Sequence, residues 1–517
     1  MVDQNTGREI FSFLPHEIIN DPERKDALLD ISNVQKATKH PFYGIDAPWV
    51  SSVDYEYTED PDNTFEVSQG GLNKQTYMRK FKAKKANIYG GMRMGGNSYY
   101  ALDVKDPTAP KFLFHVDAVN GKIKSATTGI TSTSVNPALQ AMGQSWSKPT
   151  LAKVRFNGTL RDVMIVGGGY DYNVYENLQA RSISDKGAGV YMFDAKTGEL
   201  LWNARYGTDN TSTTDVKNST LKYSVVSQIK AFDRNADGLV DNLYFGDLGG
   251  QVFRIDLNNN FGTATTSFGR VVLVADFSAK KQRFYEMPAL SIHEDSGAKF
   301  GVISIASGNR SFPTNVNNSF DNRVYVLFDK DIASETLYAA GFAPSTTLTE
   351  ADIYDWSAIS ASNIGDLRTK TKRGWYYVLT STRTGIDEPL NTGTVKALNG
   401  YTVVSYNDVY SDLYVSLFNP NHSSTQQPSA CVGGITGASV ITKFCLPYGV
   451  CGDASTGSSI TNNKKVAFVS KPTDGFSRVN AGGYNDGSKN LVTIIPNVGQ
   501  SYQMTKVFKS RNWREVQ

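Results

Sequence analysis

The chain has 517 residues, a net charge of +3, 40% hydrophobic and 20% charged residues. That is enough apolar material for a sizeable core, and too small a charge excess for a nucleic-acid or anionic-membrane footprint. No apolar run in the sequence approaches the ~20 residues that cross a bilayer as a helix. Forty-five glycines, 27 tyrosines and 26 phenylalanines favour strands punctuated by turns.

Such a length suits two or three ordinary domains or one large all-β domain, and the strand pattern below favours a single domain over 1–517. The opening MVDQNTGREIF has neither the basic nor the apolar region of a signal peptide. Either the protein is cytosolic or the sequence is a fragment of a longer secreted chain. Residues 5–11, NTGREIF, match KTGELLW at 196–202, so 1–14 is expected to be a strand that closes a ring. HEIINDPERKDALLDI, 16–31, has apolar residues at helical spacing and an acidic first half, which predicts one helix. DPDNTFE at 60–66 reads as a solvated acidic loop.

From residue 86 a repeat sets in. YYALDV, VYMFDAKTGELLW, QVFRIDL and RVYVLFDK each alternate apolar residues toward an aspartate: Asp103, Asp194, Asp256 and Asp329. Ahead of each lies an apolar strand running into glycine: ANIYGGMRMGG, DVMIVGGGYD, NLYFGDLGG and GVISIASGNR. Three of them have a further strand upstream, WSKPTLAKV, YSVVSQIKAF and EMPALSIHE. Four antiparallel strands per unit, repeated, predict a β-propeller. The aspartates stand ~60–90 residues apart, longer than the ~40–50 of compact propeller repeats, so inserts separate the second and third strands. A β-sandwich would not produce the recurring Gly-then-Asp order. The expected fold is all-β, a modified propeller of about seven irregular blades with long inserts.

In the third unit DRNADGLVD replaces a plain hairpin turn. Asp233, Asn235 and Asp237 occupy positions one, three and five of an EF-hand-like loop, with Gly238 at the sharp turn. The Leu239 carbonyl falls at seven and Asp241 at nine, whereas position twelve is Tyr244 in place of the bidentate Glu. Alternating hard oxygens suit Ca²⁺, and three carboxylates in nine residues repel one another without a cation. The equivalent turns elsewhere, RFNGTLRD and HEDSGAK, lack the ligand set.

Residues 395–517 keep strands but lose the clean repeat, giving irregular C-terminal blades. Cys431, Cys445 and Cys451 lack zinc-site spacing; one disulfide plus one spare thiol is expected over three free thiols. The five histidines, His16, His40, His115, His293 and His422, form no metal or catalytic motif, and no P-loop, G-x-S-x-G or strand-linked GxGxxG occurs. Quinone-dependent dehydrogenases share blade folds of this size, but this chain has no Cys-Cys pair and its six tryptophans show no matching repeat. A non-enzyme is therefore expected. The enzyme is one alternative, and a lectin-like attachment domain with structural calcium is another.

The order of motifs resembles the C-terminal region of the PilC/PilY family of type IV pilus-associated adhesins. HPFYGIDAPWV (40–50), YGGMRMGGNSYYALDVKDP (89–107), IVGGGYD and GVYMFDAKTGELLW carry the likeness, and DRNADGLVDNLYFGDLGGQVFRIDL (233–257) is its most specific piece. RGWYYVL and ACVGGITG extend it. The resemblance implies a quinoprotein-dehydrogenase-like propeller at the cell surface, at the pilus tip or outer membrane, in contact with minor pilins and a host receptor or glycan. It also implies calcium control of pilus extension and retraction, and roles in adhesion, twitching motility or DNA uptake. Its calcium ligands carry over as Asp233, Asn235, Asp237, Leu239 and Asp241. The chain has no Arg-Gly-Asp, so integrin binding is not carried over.

Overall fold

The computed structural model describes residues 1–3, 5–29, 43–69, 72–177, 183, 186–208, 212–260, 268–315, 320–335, 337–338, 342–360, 362–379, 395–405, 409–420 and 438–451. Beyond 451 it describes only short strands between 467 and 506. Five sheets follow one another along the chain. Blade 1 is β1 (Val50–Gln69), β2 (Leu72–Gly90), β3 (Tyr99–Asp103), β4 (Lys111–Asp117) and β5 (Lys122–Ser125). Blade 2 is β6 (Thr150–Phe156), β7 (Thr159–Gly167), β8 (Gly189–Asp194), β9 (Leu200–Arg205) and β10 (Asp215–Lys217). Blade 3 is β11 (Lys230–Phe232), β12 (Asn242–Gly246), β13 (Gln251–Leu257) and β14 (Gly269–Asp276). Blade 4 holds β15 (Ala289–Asp295), β16 (Ala298–Ala306), β17 (Arg323–Asp329), β18 (Tyr354–Asp355) and β19 (Gly374–Val378).

Blade 5 is built on β20 (Lys396–Ala397), β21 (Thr402–Ser405), β22 (Ser411–Asn419) and β23 (Ala438–Leu446), with β24 (Ala467–Phe468) and β25 (Thr473–Asp474) on β23. A further sheet joins β26 (Gly483–Asn485), β27 (Asn490–Ile494) and β28 (Tyr502–Lys506).

Consecutive blades pack face to face. Tyr89, Tyr99 and Phe114 of blade 1 meet Met164, Val166 and Tyr191 of blade 2. Val163, Met192 and Trp202 of blade 2 meet Leu243, Phe245 and Phe253 of blade 3. Tyr244 and Val252 of blade 3 meet Ile303, Ile305 and Tyr325 of blade 4. Val326, Trp375 and Tyr377 of blade 4 meet Leu413, Val415 and Phe444 of blade 5. Middle strands are thus covered on both faces, and β8, β12, β13 and β22 are buried throughout. This is the radial packing of a propeller.

The glycines that end β7 and β12 have a steric cause. A Cβ on Gly167 would lie 2.4 Å from the Val225 carbonyl, and one on Gly246 2.7 Å from Phe284 Cβ. Val225 and Phe284 belong to the segments leading into the next blade's first strand, so each glycine leaves room for the segment that enters the next blade.

Several expectations are corrected. The single helix over 16–31 is two, α1 (His16–Ile19) and α2 (Pro22–Leu29). Pro22 cannot donate an N–H and starts a new helix, while Asp21 accepts from the Glu23 and Arg24 amides at 3.1 and 3.2 Å. Residues 60–66 are not a loop but part of β1, where a register shift between Asp60 and Thr64 takes up Pro61 as a bulge. Residues 1–14, expected to close the ring, pair with themselves. Val2 bridges Glu9, the Asp3 carboxylate accepts from the Asn5 and Thr6 amides at 2.8 Å, and among the described residues the segment joins none of the sheets. A turn closed that locally satisfies the strand's own backbone. Phe13 then packs edge-on against Trp49 and Tyr100 of the first blade. Cys445 and Cys451 form the expected disulfide; Cys431 and the ACVGGITG stretch lie outside the described residues.

Candidate metal loop

The loop Asp233–Asp241 joins β11 to β12, whose pairing ends at Phe232 and Asn242. Ala236 and Gly238 take left-handed φ values of 60° and 87°, which turn the chain twice within three residues. Open space surrounds Gly238, so glycine is there for its φ alone.

Three of the five expected ligands are drawn together. Asp233 accepts from the amides of Asp237 at 3.3 Å and Gly238 at 2.8 Å. The Asn235 side-chain oxygen accepts from the Asp237 amide at 3.1 Å, and its nitrogen donates to Asp237 Oδ2 at 3.2 Å. Asp237 Oδ1 accepts from the Leu239 amide at 2.8 Å. Asp241 is held apart from these. Buried at 7% exposure, it accepts from the Arg234 amide at 2.9 Å and from Asn259 of the following loop at 3.3 Å. Burial raises the Asp241 carboxyl above its usual range, the Arg234 and Asn259 hydrogen bonds oppose that rise, and the nearby Asp237 charge adds to it.

The donor set is entirely oxygen, the kind that fits a hard cation such as Ca²⁺. Among the described residues no three Asp, Glu, His or Cys side chains are gathered closely enough to hold a metal by themselves. A cation here would therefore depend on the Asn235 oxygen and the Leu239 carbonyl as well. Asp233, Asn235 and Asp237 would hold it from the turn and Asp241 from the strand end, and the cation would supply positive charge where carboxylates crowd.

Beside the loop a cleft of about 300 Å³ opens between blades 3 and 4, with Phe232, Ile292, Phe300 and Ile332 as its apolar walls. Arg234 and Asn235 stand in its lining, and the Arg234 guanidinium reaches across to the Ser334 carbonyl. The cleft is not legible in the sequence, because its walls come from β11, β15, β16 and the segment after β17, far apart along the chain.

Residues 57–340, more than half of the chain, match the family model described as the PilY1 beta-propeller domain. The chain belongs to the PilY1 β-propeller family. Among its relatives are the type IV pilus biogenesis factor PilY1 of Pseudomonas aeruginosa strain PAO1, 25% identical over 279 residues, and the PilY1 homolog of Xylella fastidiosa, 25% identical over 306. These matches cover 50% and 56% of this chain but 20% and 18% of the relatives, so the chain spans about a fifth of their length. The crystal structure of the P. aeruginosa PilY1 C-terminal domain superposes with a TM-score of 0.56 at 16% identity, over 98% of this chain and 89% of that one. It is the same modified propeller. The family relatives are named as pilus biogenesis factors and not as enzymes.

Two buried histidines are held by their neighbours. His115 stacks on Tyr100 with ring centroids 4.3 Å apart and meets Ser98 Oγ at 3.0 Å. His293 lies between Ser291 Oγ and the Val409 carbonyl, each at 2.9 Å.

Proposed function

We propose that this chain is the calcium-binding, cell-surface propeller of a type IV pilus biogenesis factor, acting at the pilus tip or outer membrane. One calcium ion sits in the loop held by Asp233, Asn235, Asp237, the Leu239 carbonyl and Asp241. Its partners are minor pilins of the tip complex, with a host receptor or glycan as the adhesive target, and its outputs are pilus extension and retraction, adhesion, motility and DNA uptake. Membership of the PilY1 family supports the pilus role. The observation that carries the calcium part is the alternating oxygen set in a doubly left-handed turn.

The ion's role is regulatory and local. At calcium ~100-fold above its Kd, binding would add only about 2.7 kcal/mol to the folded state, small beside four interblade cores. Ordering the loop sets the positions of Arg234 and Asn235 at the mouth of the neighbouring cleft, and so the surface presented to a partner. A chromosomal Asp237→Ala change tests this. Asp237 is exposed, so the protein should be exported and soluble while surface piliation or motility changes. Wild-type piliation and motility in that strain would refute the regulatory role.

A further inference from the structure

Blades 1 to 4 are each entered through a short segment ahead of the first strand, and these segments line one cleft. Pro48, Lys148, Gln228 and Met287 stand two residues before β1, β6, β11 and β15, and Gly400 stands two before β21. Two positions further upstream, Trp146, Val226 and Tyr285 repeat the pattern. An equal offset ahead of the first strand in four consecutive blades, repeated ahead of β21 in the fifth, places the cleft on the ring axis, where a propeller has its central channel. At about 210 Å³ it is smaller than the ~300–1,000 Å³ of drug-sized sites, so its ligand is small.

The walls are aromatic, and most polar groups in them are committed. Trp146 carries Tyr170 stacked at 4.4 Å and the Arg93 guanidinium carbon 4.5 Å from its ring centroid. The Tyr401 hydroxyl donates to the Ala306 carbonyl at 2.8 Å and accepts from its amide at 3.0 Å. The Tyr285 hydroxyl donates to Asn309 at 3.1 Å. What these two tyrosines have left to offer is ring surface.

Three cations, Arg93, Lys148 and Arg310, share the lining with one carboxylate, Glu286. Arg310 pairs with Glu286 at 2.5 Å and Arg93 with Asp46 at 3.4 Å. Lys148 makes no ion pair or hydrogen bond with a described residue. Burial holds the Arg93 guanidinium below its ordinary range; the Asp46 charge opposes this, the Arg310 charge adds to it and the Glu286 charge opposes it again.

We infer that the axial cleft binds a small ring-bearing carboxylate, whose anionic group pairs with Lys148 and whose ring packs against Tyr285 and Tyr401. A charge-assisted contact fixes orientation and an aromatic wall supplies burial. Sugar acids and aromatic acids share this chemistry. The site is independent of the metal loop.

Titration of the full chain with D-glucuronate, benzoate and D-glucose, read by saturation-transfer NMR and calorimetry, tests the assignment. At least one of the two acids should bind with a millimolar Kd and glucose should not; the acid that binds more tightly identifies the ligand class. Lys148→Met should weaken binding by about tenfold or more, and Lys148→Arg should keep most of it, both with an unchanged Tm. Absence of binding by either acid overturns the assignment. So does equal binding of glucose, or full binding by Lys148→Met.

Discussion

Arg254 of blade 3 donates from one guanidinium nitrogen to both carboxylate oxygens of Asp329 in blade 4, at 2.7 and 2.8 Å. The same side chain holds Asp256 at 2.6 Å, and Tyr244 donates to Asp329 at 2.9 Å. Arg254 is 1% exposed. Burial alone would lower its pKa, but the Asp329 and Asp256 charges outweigh burial and hold it above the usual range. Two of the repeated aspartates are thus an ion network that pins one blade to the next.

Removing one member of such a network leaves uncompensated buried charge. Arg254→Met should cost about 3–5 kcal/mol, read as a lowered urea midpoint by tryptophan fluorescence. A loss below about 1 kcal/mol, the worth of a surface pair, would show that the network is dispensable.

Acid should loosen blade 1 through His115. Burial pushes its pKa down to about 4, with the Asp117 charge opposing and the His16 and Lys124 charges adding to the fall. An unfolded histidine titrates near 6.5. The folded state therefore binds fewer protons, so the stabilisation is complete above about 6.5 and is lost as pH falls toward 4. The loss approaches about 3 kcal/mol at the bottom of that window. His115→Gln should flatten the stability curve between those pH values; an unchanged slope would place the acid sensitivity elsewhere.

The Cys445–Cys451 staple closes a loop whose carbonyls receive two indoles. Pro447 accepts from Trp375 Nε1 at 2.7 Å and Gly449 from Trp356 Nε1 at 2.8 Å. So short a loop is worth about 2 kcal/mol. Cys451→Ser should lose that amount and red-shift the tryptophan emission as the indoles lose fixed partners. Matching wild-type emission and midpoint would show that packing alone holds them.

Strand order was legible because each propeller constraint acts on a short stretch of sequence. Gly167 and Gly246 end strands against the segment that enters the next blade, and Asp194 closes a turn by accepting from the Lys196 and Thr197 amides. Asp256 and Asp329 looked identical to Asp194, but their roles depend on Arg254, and nothing in the spacing links the three. Pro22 stands in plain sight in the sequence and divides the expected helix in two. The candidate loop is legible as a ligand spacing, though the hydrogen bonds that set Asp241 apart from Asp233, Asn235 and Asp237 are not. The axial residues Lys148, Gln228 and Met287 share no residue type; they share an offset from strands whose starts only the structure gives. WSKPTLAKV and YSVVSQIKAF look like strand from their first residues, whereas β6 begins at Thr150 and β11 at Lys230.

Calcium binding itself can be measured by calorimetric titration of the wild-type chain and of Asp237→Ala. Wild type should show one Ca²⁺ site per chain and far weaker Mg²⁺ binding, because Mg²⁺ demands near-octahedral geometry and dehydrates reluctantly. Asp237→Ala should show no calcium site while keeping the wild-type Tm measured in chelator. Equal calcium binding by the two proteins would contradict the assignment of the loop.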